Sequence, residues 1–223
     1  MKTKLIACLF TVVMLFAFSP VSMADTISTG STIWITDGPG GYPNGYGGGI
    51  FVVHNTNNSF VFDTFCLELN ENISMGHHYL VDVGTAAVKG GVAGGHPDPL
   101  SGATAFLYES FRANTLGAVA GGFNENNAAD DDSLQYAIWV LQGDWTSTTD
   151  VKANALIAYA AANGYDKNST NIGDVRVVNP YSHGIDGQLI QNQSFLELPE
   201  PMTLLLLGFG LLGLGITRKK LKK

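Results

Sequence analysis

The rhythm of apolar and polar positions changes along the chain and separates it into parts. From Thr32 to Leu69 the rhythm is that of strands. Thr32-Ile33-Trp34-Ile35 is β-branched and aromatic, a turn-rich loop runs from Gly38 to Pro43, and Gly47 to Gly49 lead into Ile50-Phe51-Val52-Val53. Ser59 to Leu69 (SFVFDTFCLEL) reads as the longest strand. Alternation puts Phe60, Phe62, Thr64, Cys66 and Glu68 on one face and Val61, Asp63, Phe65, Leu67 and Leu69 on the other. Neither face is purely apolar, so cover on both sides is expected.

The second half moves to helical spacing. Ser101 is placed to cap a helix through about Arg112, with Ala103, Phe106, Leu107 and Ser110 along one side. Asp130-Asp131-Asp132-Ser133 stand before Leu134 to Leu141, where acidic residues suit both the cap and the dipole of a helix N-terminus. In that helix Leu134, Ala137, Ile138 and Leu141 make the apolar stripe, and Gln135, Trp139 and Gln142 share a neighbouring face. A third helix is expected from Asp150 to Ala162, ending at Asn163-Gly164. Strands return at Asp174 to Val178 and at Gly187 to Ile190. The pattern predicts an α+β fold: a single mixed domain, residues 25–198, with β-strands in its N-terminal half and a cluster of helices after them.

Both ends read as addresses. Lys2 and Lys4 precede an apolar run from Leu5 to Phe18, and Ser22-Met23-Ala24 then supplies small residues at −3 and −1. This predicts a signal peptide over residues 1–24, cleaved by signal peptidase between Ala24 and Asp25. At the other end Pro199-Glu200-Pro201 is followed by an apolar stretch from Met202 to Ile216 and by Arg218-Lys219-Lys220-Leu221-Lys222-Lys223. A transmembrane helix stopped by Arg218, Lys219 and Lys220 is expected there, its basic end on the cytoplasmic side. Pro-Glu-Pro, apolar helix and basic tail, in that order, resemble the PEP-CTERM sorting signal of Gram-negative bacteria. The resemblance covers residues 199–223. It implies an exosortase as partner, an intermediate anchored in the inner membrane, removal of the tail near Glu200, and delivery to the cell surface or the exopolysaccharide matrix of a biofilm.

Charge sharpens this picture. Charged residues are only 14% of the 223, and the net charge is −7. Of the 12 basic residues seven lie at the two ends, so the stretch between them, with all 19 acidic residues, carries −14. Such a surface repels phosphate and excludes nucleic acid as a partner.

Candidate chemistry is sparse. The five histidines are scattered, and a metal site is not expected. Asn124 to Asp132 (NENNAADDD) lacks the EF-hand spacing and reads as a solvated loop and helix cap. The Gly-rich segment 38–49 lacks the Gly-Lys-Ser/Thr of a phosphate loop. No catalytic signature stands out, so neither an enzyme nor a cofactor is expected. Past the signal the chain holds one cysteine, Cys66. In an oxidising compartment a lone thiol is buried as a small hydrophobe, paired between chains or consumed in another bond.

Thr64-Phe65-Cys66-Leu67-Glu68, followed by Leu134-Gln135-Tyr136-Ala137-Ile138-Trp139 and preceded on that side by the helix with Ala105-Phe106-Leu107-Tyr108, resembles the thioester domains of bacterial surface adhesins. The likeness spans about residues 50–165. Many members carry Thr where this chain has Leu134. The resemblance implies an internal thioester between Cys66 Sγ and the side-chain carbonyl of Gln135, formed with loss of ammonia, with Trp139 and Phe65 shielding it from water. An amine or hydroxyl on extracellular polysaccharide or a surface protein would then attack, leaving a covalent link and a free thiol. The alternatives stay open on the residues alone: Gln135 as a polar residue on a helix surface, Trp139 as core, and a non-covalent structural or binding protein of the matrix with Cys66 simply buried.

Overall fold

A computed structural model of the chain describes residues 27–38, 48–92, 95–119, 121–183 and 189–199. Ala24, Asp25, Glu200, Pro201, the two terminal apolar runs and the basic stop at Arg218, Lys219 and Lys220 lie outside these residues, and so do the expectations placed on them. Pro199, the first residue of the sorting motif, is half-buried. Among the described residues no helix is long and apolar enough to cross a membrane.

The element order is β1 (Thr32–Asp37), β2 (Ile50–Asn55), β3 (Phe60–Phe65), β4 (His78–Gly84), β5 (Ala86–Ala87), β6 (Asp98–Pro99), α1 (Gly102–Arg112), a short 3-10 turn (Leu116–Ala118), α2 (Ala128–Gln142), α3 (Val151–Ala162), β7 (Arg176–His183), β8 (Leu189–Gln191) and β9 (Phe195–Glu197). This is the mixed architecture that the pattern predicts, strands first and three helices after, with more strand behind the helices than expected.

The main sheet runs β3-β2-β1-β4-β7, every pair antiparallel. Along one edge of β7, β9 pairs at Arg176–Val178 and β8 at Tyr181–His183. β9 then reaches the far end of the sheet. Cys66 bridges Phe195, Leu67 N–H donates to Ser194 C=O at 2.9 Å, and Thr64 Oγ1 donates to Leu196 C=O at 2.6 Å and accepts from its N–H at 3.0 Å. The sheet is thereby drawn round until its first and last parts meet, and Cys66 stands at the seam.

Alternation explains what each side of this curved sheet holds. Ile33, Ile35, Phe51, Val53, Tyr79 and Val81 are all buried on the enclosed side, and Trp34, Thr36, Val52 and His54 between them are half-exposed. At the seam both sides are covered, as the mixed faces of the Cys66 strand predict. Cys66, Val178 and Phe195 join the enclosed cluster, while their neighbours Phe65, Val177 and Leu196 join the cluster formed with the helices. The strand itself is shorter than its apolar run. Regular pairing with β2 ends at Phe65, and Leu67 to Leu69 continue as irregular chain whose backbone bonds go to Ser194 and to Asp144.

The helices follow their signals closely. Ser101 Oγ accepts from Thr104 N–H at 3.1 Å, and Asp150 Oδ1 accepts from Ala153 N–H at 2.6 Å. α3 ends at Asn163, followed by Gly164 at φ +88. For α2 the cap lies three residues before the acidic run expected to supply it. Asn127 holds it, accepting from Ala129 N–H at 2.9 Å, while Asp130 and Asp131 fall in the first turn, where they suit the dipole.

Candidate functional site

Leu134, Ala137, Ile138 and Leu141 of α2 are buried against the other helices, as the spacing requires. The neighbouring face turns toward the end of β3. Gln135 is fully buried there at 0% exposure, not on the helix surface, and it meets Cys66.

The contact is reciprocal. Cys66 N–H donates to Gln135 Oε1 at 2.9 Å, and Gln135 Nε2 donates to Cys66 C=O at 2.8 Å. The carboxamide thus pairs with one residue's backbone as a neighbouring strand would, across 69 positions of sequence. A second tether lies beyond the helix. Gly143 ends α2 at φ +91, a left-handed conformation that suits glycine, and turns the chain so that Asp144 Oδ2 accepts from Leu69 N–H at 2.5 Å and Oδ1 from Val92 N–H at 2.8 Å. Gln135 and Asp144 therefore grip the chain at Cys66 and three residues on.

A cavity of about 200 Å³ opens beside the cysteine, lined among others by Phe51, Cys66, Glu68, Ile73, Met75 and Trp139. Trp139 is buried, one ring in a cluster with Tyr136 and Trp145, the Trp–Trp centroids 5.2 Å apart. Trp139 is therefore core, and it also lines the space next to Cys66. Phe65 does not line that space. Its ring points to the opposite side of the strand and packs edge-on against Phe111 at 5.0 Å, so the second shield expected beside Cys66 sits in the helix-side core instead. Gln142, the third member of the α2 face, is also elsewhere, accepting from Ser101 N–H at the start of α1.

Burial sets the electrostatics. The Cys66 thiol has its pKa pushed well above the usual range, first by loss of solvation and then by the nearby Glu68. Glu68 is 1% exposed, and neither carboxylate oxygen has a hydrogen-bond partner. Burial, followed by the charges of Asp144, Asp98 and Glu71, raises its pKa to about 8. Two residues that sequence reasoning passed over belong to the site. One is Glu68, which alternation already puts on the face of Cys66. The other is Gly48, where a Cβ would lie 2.7 Å from Gln135 Cγ and closer still to the Trp139 ring. Only a glycine lets the backbone lie this close over the pair.

No family model, curated protein or solved structure matches the chain. Among the described residues no group of three or more His, Cys, Asp or Glu side chains is arranged to hold a metal ion. The site's chemistry rests on its own geometry: a thiol-bearing residue and a fixed carboxamide, a backbone N–H on the amide oxygen, a small space on the sulfur side, and an unpaired carboxyl group within it.

Proposed function

We propose that this chain is an exported surface or matrix protein whose folded part carries an internal thioester between Cys66 Sγ and the Gln135 carbonyl carbon. It serves as a single-turnover covalent binder. The terminal segments support the itinerary: signal peptidase at one end, and an exosortase acting on the PEP-CTERM-like tail of an inner-membrane intermediate at the other.

The observation that carries the thioester reading is the reciprocal pair between Gln135 and the Cys66 backbone. It puts the carboxamide against the residue that bears the nucleophile, so attack no longer carries the entropy cost of bringing thiol and amide together. It also puts the Cys66 N–H on Oε1, where negative charge develops as sulfur adds to the carbonyl. Sulfur then bonds to the Gln135 carbonyl carbon, the carbon–nitrogen bond breaks, and ammonia leaves. An external amine or hydroxyl later displaces sulfur, giving an isopeptide or ester link and returning the Cys66 thiol.

Mass spectrometry tests this on the purified protein. The wild type is expected to be lighter by one ammonia than its sequence, with the deficit mapped to the Cys66 and Gln135 peptides. Cys66→Ala and Gln135→Ala are expected to show full mass, and methylamine to add only to the wild type, at position 135. A second reading has its own observation. Cys66 is 4% exposed and its thiol is held protonated, the state of an inert core cysteine, with Gln135 finishing the strand's hydrogen bonds. In that case the protein is a non-covalent structural or binding component of the matrix. Full mass, and one thiol that titrates only on unfolding, would establish that reading.

A further inference from the structure

A buried thiol that is held protonated cannot attack a carboxamide unless something takes its proton, and the departing nitrogen must gain one to leave as ammonia. Glu68 meets both needs by position. It lies two residues after Cys66, past the bend at Leu67, and both residues line the same cavity of about 200 Å³. Its two oxygens have no hydrogen-bond partner although it is almost wholly buried, which is costly unless the group serves a purpose there.

We infer that Glu68 is the proton carrier for both halves of the acyl chemistry at Cys66, acting directly or through a water in the cavity. The inference rests on the thioester reading and deepens it. In bond formation the Glu68 carboxylate takes the proton from Cys66 Sγ as sulfur adds to the Gln135 carbonyl carbon. The resulting carboxylic acid then gives that proton to the nitrogen as the carbon–nitrogen bond breaks, so ammonia departs and Glu68 is restored. In transfer to a target the same group takes a proton from the attacking amine and delivers it to sulfur as the carbon–sulfur bond breaks.

The surroundings suit such a role. Asp144 behind α2, Asp98 in β6 and Glu71 in the following loop all bear on Glu68, and Glu71 is itself paired with Lys89 at 3.2 Å. A Cβ on Gly91 would press on both the Glu68 and the Asp144 carboxyl groups, so the two lie close together over one backbone position. Burial first, and these like charges second, raise the Glu68 pKa to about 8, so that around neutral pH the acid predominates with a fraction of carboxylate beside it, one form to donate and the other to accept.

The test compares full-length wild type, Glu68→Gln and Glu68→Asp, with Cys66→Ala as the zero reference. The readouts are the fraction of chains lacking ammonia and the rate of methylamine incorporation at Gln135 as a function of pH. In the wild type the rate is expected to carry a titration step near pH 8. Glu68→Gln is expected to lose that step and to react about 100-fold more slowly. Glu68→Asp, which keeps the acid but draws it back by one methylene, is expected to fall between them with its step displaced, and it decides the matter should Glu68→Gln not fold. A bonded wild type whose Glu68 variants form and react at the same rate, with the same pH profile, overturns the role of Glu68 and leaves the thioester intact. A wild type at full mass overturns the thioester itself, and the role of Glu68 with it.

Discussion

Cys66 and Gln135 hold each other through backbone atoms on one side and side-chain atoms on the other, which makes their substitutions unequal. Cys66→Ala removes a small buried sulfur and keeps both hydrogen bonds, because the N–H and C=O remain. Its expected cost is about 1 kcal/mol. Gln135→Ala strands a buried donor and a buried acceptor of Cys66 together, and is expected to cost about 2–4 kcal/mol. Neither variant can form a thioester, so the difference between their urea unfolding curves isolates the hydrogen-bonded pair from any contribution of the covalent bond. Equal curves would show that the carboxamide contributes nothing to the fold. Gln135 also marks where reading residues alone runs out. A glutamine on a helix beside an apolar stripe looks like surface, and nothing nearby in sequence says that its partner is 69 positions away.

At the level of elements, α2 carries Gln135 and Trp139, and the backbone at Gly48 lies directly over both. Gly48→Ala is expected to force the Trp139 ring or the Gln135 side chain aside and to cost about 1–3 kcal/mol, read as a lowered unfolding midpoint. On the thioester reading, the same variant also loses the acyl bond to water faster, seen as a gain of mass with time. Much of this scaffold was legible: β1, β2, all three helices and two of their caps follow local rules of alternation, spacing and capping residues. What escaped was what pairing over distance creates. β4, from His78 to Gly84, has a plain alternation of Tyr79, Val81 and Val83, but it is held as a strand by its pairing with β1 and with the distant β7. β9 is three residues long and becomes a strand only because β7 and the end of β3 flank it. The run from Ser59 to Leu69 looked like one strand because burial, which sets its apolar content, continues past the point where the ladder stops.

Over the whole molecule, low charge content has not kept carboxyl groups out of the interior. Burial first, and neighbouring acids second, raise Glu68 to about 8, Asp131 to about 7 and Asp132 to about 6; burial raises Glu197 to about 7 against the opposing pull of the Ile27 N–H. Each of these groups holds a proton in the folded chain at a pH where the unfolded chain has released it. Their favourable contribution is therefore complete below the ordinary carboxylate range and is lost as pH rises through the folded values. Stability is accordingly expected to fall from about pH 5 to about pH 8 by on the order of a few kcal/mol, a trend reinforced by the growing self-repulsion of a chain already at −7. Urea unfolding at the two ends of this range gives the sign directly. Glu68→Gln is expected to flatten the upper part of the slope and Asp131→Asn the middle, since each replaces a titrating acid by a neutral group of the same shape. A midpoint that rises with pH would mean that these carboxyl groups are ionised and satisfied in the folded protein. The unpartnered oxygens of Glu68 would then require a bound cation in place of a proton.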